Sequence, residues 1–174
     1  NRLPSSKHAV RNGLGSRLEA KTMLTPAQAA YLKQVKIPMR LGTTTVSGWP
    51  MVLSLWYLYE DGKLMCATQA SARVVAYLQN DPRCAFEIAA DEPPYCGIRG
   101  QGRAVVDPAA GADVLARLLA RYLGSTDLPL AQQLLRRSDH EVAIIIEPAK
   151  VFVWNYTTRM SDSVPGAGDK LCPA

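Results

Sequence analysis

Ser71 and Arg73 have the side-chain types and spacing of a phosphate site. They lie where an apolar strand pattern, Leu64 to Thr68, gives way to a helical one. A helix N-terminus presents unpaired backbone N–H groups and a partial positive charge, so it can bind a phosphate. Ser71 stands at the expected N-cap and adds a hydroxyl, and Arg73 adds a guanidinium with paired donors. The same residues also fit an ordinary capped surface helix with a solvated arginine.

The elements that position these two residues have clear boundaries in the sequence. The strand follows a turn at 60–63 that contains Asp61-Gly62. Beyond Arg73, the apolar residues Val74, Tyr77 and Leu78 recur at the spacing of one helix face, and Asp81-Pro82 ends the helix. We therefore expect a strand, a short turn and a helix of about two turns.

Further strands and helices are predicted on both sides. A helix is capped by Thr25-Pro26 and buries Ala29, Leu32 and Val35, and another follows Asp107-Pro108 and ends at Gly124. A third short helix is predicted at 130–137. Three glycines between residues 97 and 106 indicate a bulge or close backbone approach. The predicted strands are 40–46, 51–59, 64–68, 83–89, 97–106 and 141–154, the last interrupted at Pro148.

The segment 51–59 is apolar at nearly every position. A strand with one face in water normally alternates apolar and polar residues. We therefore expect both faces of this strand to be covered, one by the core and the other by a partner chain or a ligand. Six strands joined mostly by tight turns, with helices between some of them, predict a mainly β fold: an antiparallel barrel with peripheral helices.

The order of these segments resembles the FMN-binding split-barrel family related to pyridoxamine 5'-phosphate oxidase. The resemblance covers roughly residues 25 to 155 and rests on an ordered set of short motifs. These are a Thr-rich turn at 43–45, Gly48-Trp-Pro in the next strand, Asp61-Gly62, Thr68, Ser71-x-Arg73, Asp81-Pro-Arg and the glycine-containing strand 97–106. The resemblance implies a six-stranded antiparallel split β-barrel and a homodimer with a cofactor at the subunit interface.

The resemblance also assigns site residues. The implied cofactor-binding residues are the strand that lines the isoalloxazine ring (Pro50, Met51, Val52, Leu53 and Ser54), the end of the next strand (Ala67 and Thr68), the phosphate ligands Ser71 and Arg73, and the late aromatic Trp154, which would approach from the other subunit. Each has a plain alternative: core packing for 51–53, a β-forming residue at Thr68, and barrel packing for Trp154.

Three departures from the family pattern argue against the oxidation of pyridoxamine phosphate. Ala72 stands where many members have a second basic residue, and Pro50 and Leu55 replace the arginine and lysine of the oxidases themselves. The closing Trp-Arg-Leu signature is replaced by Trp154-Asn-Tyr. A less polar substrate, or the deazaflavin F420, fits this lining better.

Three functions remain open from the sequence. The first is an FMN-dependent oxidoreductase that transfers hydride to or from a small molecule, since a flavin supplies the redox chemistry itself. The second is a split barrel that binds F420, haem or flavin for storage or sensing without turnover. The third is an interaction module with no cofactor. No catalytic residue is assigned. The only histidines are His8 and His140, so the sequence offers very few residues from which a histidine metal site or a Ser-His-Asp triad could be built.

Composition and charge set the remaining limits. A chain of 174 residues and 18.9 kDa fits one domain, and no apolar run approaches the roughly 20 residues that span a membrane. Residues 1–23 carry five basic side chains against Glu19, so most of the net charge of +5 lies there. We predict a mobile basic leader at 1–23, the barrel domain at 24–156 and a loop-like tail at 157–174, with no nucleic-acid partner.

The four cysteines are widely separated and form no Cys-x-x-Cys. Cys66 and Cys84 fall in predicted strands, where a small buried side chain is expected. The spacing does not predict a disulfide framework, and the start shows no signal-peptide pattern. We therefore expect a protein of the reducing cytoplasm. Because the chain opens with Asn1, we also expect that its natural start is missing.

Overall fold

Seven antiparallel strands form one sheet. A computed structural model of the protein describes residues 24–160 and 171–173. The strands are β1 (Met39–Thr44), β2 (Pro50–Leu55), β3 (Leu58–Glu60), β4 (Lys63–Gln69), β5 (Arg83–Ala89), β6 (Cys96–Asp107) and β7 (Glu141–Asn155), and their order across the sheet is β2-β1-β5-β6-β7-β4-β3.

In the described part of the chain, five α-helices and one 3₁₀ turn connect or follow these strands. They are α1 (Pro26–Gln34), α2 (Arg73–Asn80), α3 (Gly111–Leu123), α4 (Pro129–Leu135), the 3₁₀ turn Ser138–His140 and α5 (Thr157–Met160). The mainly β architecture with peripheral helices is therefore confirmed. None of the helices in the described part of the chain is long and apolar enough to cross a bilayer.

The two edge strands, β2 and β3, are consecutive in the chain and separated only by Trp56 and Tyr57. Because neighbouring Cα atoms are about 3.8 Å apart, Leu55 and Leu58 lie within about 11 Å of each other. The sheet must therefore curl until its edges approach. Within the described residues β2 and β3 form no ladder with each other, so the ring is not closed by hydrogen bonds.

The count of six strands was wrong, because the predicted strand 51–59 is interrupted. The backbone N–H of Tyr57 donates to the Tyr122 hydroxyl at 3.3 Å, and the Tyr57 hydroxyl donates to the Leu32 carbonyl at 2.9 Å. Tyr57 is completely buried between these partners. These contacts hold Tyr57 at the point where the chain passes from one sheet edge to the other. A run of apolar residues gives no indication in the sequence that the strand breaks there.

The curled sheet encloses one main core. It contains buried side chains from strands across the whole width of the sheet, including Leu41, Cys66, Phe86, Ile98 and Ile144. Helix α2 adds Val74, Val75 and Leu78 to the same cluster, and α1 adds Tyr31 and Leu32. The core holds α2 against the sheet and so fixes where its N-terminus lies.

Helix α1 begins where the sequence predicts. Thr25 is its N-cap and forms a capping box with Gln28, and Pro26 follows at the first helical position. Leu32 is fully buried as predicted, and Ala29 and Val35 pack partly buried against the core.

The three glycines of β6 lie in very close contact with their neighbours, as predicted. A Cβ on Gly97 would lie 2.9 Å from the ring of Trp154, and one on Gly102 would lie 2.7 Å from the Glu147 carbonyl oxygen. The β6–β7 register shifts between Gln101 and Gly102, opposite Pro148, so the predicted interruption is a β-bulge.

The helix after Asp107 begins later than predicted. The Asp107 carboxylate accepts a hydrogen bond from the Ala109 N–H at 2.9 Å, so it forms a turn instead of an N-cap. Helix α3 starts at Gly111 with Ala110 as its N-cap. Its end at Gly124 is confirmed, because that residue has φ +82°, a backbone conformation that favours glycine.

The predicted leader at 1–23 lies outside the described residues. The predicted loop-like tail begins with a short helix instead, because Thr157–Met160 form α5. Residues 171–173 lie against the start of β6, where Cys172 forms a disulfide with Cys96. The expectation that no disulfide joins these cysteines was therefore wrong.

Candidate functional site

The turn between β4 and α2 is held firmly by backbone hydrogen bonds. Thr68 and Gln69 pair with Val142 and Glu141 at the start of β7. The Ala70 N–H then donates to the His140 carbonyl at 2.8 Å. The turn therefore joins the end of β4, the start of β7 and the start of α2 in one place.

Helix α2 begins at Arg73, with Ala72 as its N-cap and no side-chain capping bond. The prediction that Ser71 caps the helix was wrong by one residue, because the Ala72 N–H already closes a turn on the Gln69 carbonyl. The first N–H groups of a helix have no partner inside the helix. At the start of α2 no capping side chain accepts a hydrogen bond from them either. This leaves the Ser71 hydroxyl uncommitted to the helix.

Ser71 and Arg73 are both exposed at this turn. Within the described part of the chain neither side chain forms a hydrogen bond, and Arg73 forms no ion pair. The next residues, Val74 and Val75, are 5% exposed and fix the helix to the core. The helix start thus presents a hydroxyl and a guanidinium on a rigid support.

Strand β2 is a sheet edge with a large apolar surface. Met51 is 43% exposed and Val52 67% exposed, and Pro50 and Ser54 are exposed as well. Leu53 points to the core side and packs partly buried against it. Nothing in the described chain covers the second face of this strand, so its cover by a partner chain or a ligand stays a prediction.

Trp56 connects β2 to the end of β4. Its ring stacks on Tyr122 with centroids 4.9 Å apart, and it shares two apolar clusters with Ala67. Because Leu58 pairs with Met65, the chain leaving β2 runs beside the residues that lead to Thr68. The structure therefore brings the C-terminal end of β2 toward the β4–α2 turn.

A groove of about 680 Å³ runs across the outer surface of the sheet at the other end of β2. Pro50, Met51 and Val52 form one wall, and Arg83 and Arg103 lie among the residues of the opposite wall. The remaining predicted site residues do not line it. The groove and the β4–α2 turn are therefore two separate features along β2, and this groove is not the predicted phosphate end.

Trp154 lies far from the β4–α2 turn within one chain. It is near the end of β7, whereas Val142, the partner of Thr68, is near the beginning. At about 3.3 Å per strand residue the two are roughly 40 Å apart along β7. Trp154 packs over Gly97, and the Arg99 guanidinium lies 5.4 Å from its ring centroid. The structure does not join Trp154 to the other predicted residues in a single chain.

Partial burial beside the turn changes the acid–base behaviour of one carboxyl group. Glu141 pairs with Gln69, and desolvation raises the pKa of its carboxyl above the ordinary value. At the far end of α2, Asp81 binds Arg83 through two bonds of 2.9 and 2.7 Å. These charge-assisted bonds lower the pKa of Asp81 to about 2.

Sequence reasoning missed Glu141, Arg99 and Arg103 at these sites. The sequence marks Glu141 only as the first residue of a strand, and its position opposite Gln69 follows from a pairing between distant segments. The two arginines alternate with glycines in β6, a pattern that marks an exposed strand face but does not reveal what lies across it. Among the described residues no group of histidine, cysteine and carboxylate side chains could hold a metal ion.

Solved structures with this fold include proteins of different stated roles. A conserved hypothetical protein from Mycobacterium tuberculosis superposes with a TM-score of 0.65 at 21% identity, covering 79% of this chain and 88% of that one. An F420 reductase gives 0.59 at 19% identity, covering 70% and 93%. HutZ, the haem storage protein from Vibrio cholerae, gives 0.58 at 15% identity, covering 75% and 95%. At these identities the likeness shows a shared fold.

The comparison of sequences gives stronger evidence of kinship than these structural likenesses. No functionally curated protein matches it significantly. The pyridoxamine 5'-phosphate oxidase family, however, matches residues 24–155, which is the whole described sheet together with α1 to α4. The chain therefore belongs to the pyridoxamine 5'-phosphate oxidase family.

Proposed function

We propose that the protein is a homodimeric, FMN-dependent oxidoreductase that transfers hydride to or from a small molecule other than pyridoxamine phosphate. The observation that carries this proposal is the β4–α2 turn. It presents Ser71, Arg73 and the first N–H groups of α2 beside an apolar edge strand that no described element covers. An anionic tail and an apolar ring system are the two halves of a flavin nucleotide.

The residues at the turn suit a phosphate monoester. Arg73 supplies a permanent positive charge, and Ser71 supplies a hydroxyl donor. A helix N-terminus favours a dianion, and α2 carries no acidic residue in its first turn. Ala72 gives no second basic contact, so the phosphate would depend on the two neighbouring side chains and the backbone.

The edge strand suits an isoalloxazine ring. Met51 and Val52 present exposed apolar side chains, and the free edge of β2 offers backbone N–H and C=O groups for the polar rim of the ring. A flavin in this place would supply the hydride chemistry at its N5. The chain's own residues would bind the phosphate, orient the ring and exclude water.

A second subunit completes the proposal. Val52 and Phe152 are 67% and 43% exposed on the same uncovered sheet surface, and Trp154 lies on β7 far from the turn of its own chain. A dimer that covers β2 with its partner's sheet would bury this surface. It would also allow the partner's Trp154 to approach the ring, as the family pattern implies.

F420 binding is the second candidate. The specific observation in its favour is the apolar stretch Pro50 to Leu53, with Pro50 and Leu55 where the oxidases carry basic residues. A haem-binding role is less well supported by the chain, because His140 is the one histidine within the described residues and it lies in an exposed turn. Localisation in the cytoplasm stays a prediction.

Ligand binding tests the proposal directly. The purified full-length protein is titrated with FMN and, separately, with F420, and quenching of ligand fluorescence is followed. Replacing Ser71 and Arg73 together by alanine removes two charge-assisted contacts and should weaken FMN binding by more than about tenfold. Lys36→Ala removes one exposed positive charge elsewhere and should leave the affinity unchanged.

The outcomes separate the candidates. Tight FMN binding with a yellow protein supports the oxidoreductase, tight binding of F420 alone supports the second candidate, and a Soret band supports haem. An affinity for FMN that survives the double substitution would mean that the phosphate lies elsewhere. No binding of any of these ligands would favour the interaction module.

A further inference from the structure

The chain returns to the start of β6 at its C-terminal end. Cys172 is linked to Cys96 by a disulfide, with their Cα atoms 5.7 Å apart. The Cys96 sulfur also lies 3.8 Å from the Leu171 carbonyl oxygen, and Pro173 is buried. The last described residues are therefore packed on the sheet at one specific place.

That place is the end of β7 that carries Trp154. Cys96 pairs with Asn155, and Gly97 pairs with Trp154. The Thr157 N–H donates to the Asn155 side chain at 2.8 Å, and the Thr157 hydroxyl lies 3.6 Å from the Cys172 sulfur. Residues 155–157 thus lie between the start of β6 and Cys172.

The other two cysteines differ in their surroundings. Cys66 and Cys84 are buried and free. Burial raises the pKa of both thiols, that of Cys84 to about 11. Thiol–disulfide exchange needs a thiolate, so neither is reactive at neutral pH. Cys172, in contrast, is only half-buried in the cross-linked form.

We propose that Cys96 and Cys172 form a reversible thiol–disulfide site that fixes residues 171–173 and, through the contact of Cys172 with Thr157, the end of β7 that bears Trp154. Stable disulfides are rare in a reducing cytoplasm, and accessible ones are those that exchange. The site therefore senses the redox state of its compartment. This inference concerns the chain alone and does not depend on which cofactor binds.

The exchange balances with a dithiol reductant. One of its thiolates attacks the half-buried Cys172 sulfur, the S–S bond breaks, and Cys96 leaves as a thiolate that takes up a proton. The second thiol of the reductant then displaces Cys172 from the mixed disulfide. Two electrons and two protons reach the protein, and the reductant becomes a cyclic disulfide. A small oxidised disulfide compound reverses both steps.

The cross-link is tested first by counting thiols in the full-length protein. After oxidised glutathione and alkylation in denaturant, the wild type should show two modified cysteines, Cys66 and Cys84, and after dithiothreitol it should show all four. Four modified cysteines after oxidation, or disulfide-linked dimers on a non-reducing gel, would overturn the intramolecular pairing.

The effect on β7 is tested by hydrogen exchange of residues 151–157. Reduction should raise their exchange rate by about tenfold, as expected for local opening, and leave α3 unchanged. Cys172→Ser should show the faster rate with and without reductant, whereas Cys84→Ala should still respond to reductant like the wild type. If 151–157 exchange equally in all states, the cross-link does not control this strand end.

Reversibility is tested in glutathione buffers of graded composition. The alkylation pattern should change from two to four cysteines within the range of cytosolic buffers and return on reoxidation. A bond that stays oxidised throughout that range would identify a permanent structural cross-link and would overturn the sensing role.

Discussion

The sheet has two halves that share one inner core but differ on their outer surfaces. Over β4 and the first part of β7, helix α3 buries Val114, Leu115, Leu118 and Leu119, and Ala143 beneath them is fully buried. We call this the helix-covered half. Over β2, β1, β5, β6 and the second part of β7 no described helix lies on the outside, and we call this the bare half.

Only some of the outer side chains of the bare half are of the kind that is normally exposed to water. Its outer surface alternates charged residues such as Arg99 and Lys150 with small ones such as Ala85 and Gly42. It also exposes Val52 and Phe152, which an isolated soluble chain gains nothing by exposing. One half is therefore covered within the described chain, whereas the outer surface of the other is left uncovered by any described element; its cover by a second subunit is our proposal.

The largest expected effect comes from the helix-covered half. Leu119→Ala removes a fully buried side chain that packs α3 against α4 and the sheet. It should lower the free energy of unfolding by about 2–5 kcal/mol, from lost transfer energy and the cavity left behind. Urea denaturation followed by circular dichroism measures this. A loss below about 1 kcal/mol would mean that this half is loosely packed and that the contrast with the bare half is false.

A smaller effect is expected in the bare half, on association instead of folding. Val52→Lys places an ammonium in the surface that we propose a second subunit covers. The dissociation constant of the dimer should rise at least about tenfold, because the charge would be desolvated without a partner. Sedimentation velocity over a range of concentrations measures the change.

Val46→Lys is the matched control for that substitution. Val46 is 68% exposed, against 67% for Val52, but it lies in the turn between β1 and β2. It should leave association unchanged. Equal behaviour of the two variants, or a wild-type chain that sediments as a monomer at all concentrations, would show that the bare half is not a subunit interface.

The smallest effect concerns the ion pair at the groove of the bare half. The pKa of Asp81 is lowered to about 2 by Arg83, so its carboxylate favours the folded state above the ordinary pKa of 3.8. That contribution fades as the pH falls from about 4 to about 2, and it is small because the pair is at the surface. In a carboxyl NMR titration, Arg83→Gln should return the midpoint of Asp81 toward its ordinary value. An unchanged midpoint would show that the pair does not persist in solution.

Much of this architecture could be predicted because its signals are local. The N-cap at Thr25 and the helix end at Gly124 each depend on neighbouring residues, and both were confirmed. The close packing of the β6 glycines was also predictable, because glycine weakens a strand and is retained there mainly where another segment approaches closely.

Two of the failures involve contacts between distant segments. The break at Tyr57 depends on Leu32 and Tyr122, and the pairing of Cys96 with Cys172 spans 76 residues. The helix starts were missed for a different reason. Ser71 and Asp107 are good N-cap residues, but backbone and Asx turns satisfy the neighbouring groups first. For the candidate site, the sequence predicted that Ser71 and Arg73 lie at one helix start, as they do, and their role as phosphate ligands stays a prediction.

The link of Trp56 and Tyr57 limits how far apart the two sheet edges can lie. Within the described residues no ladder joins β2 and β3, so backbone hydrogen bonds do not hold this boundary. The chain itself keeps the two edges within about 11 Å there. Because a two-residue connection gains little chain entropy when its ends separate, the sheet keeps its curl at this boundary without a closing ladder.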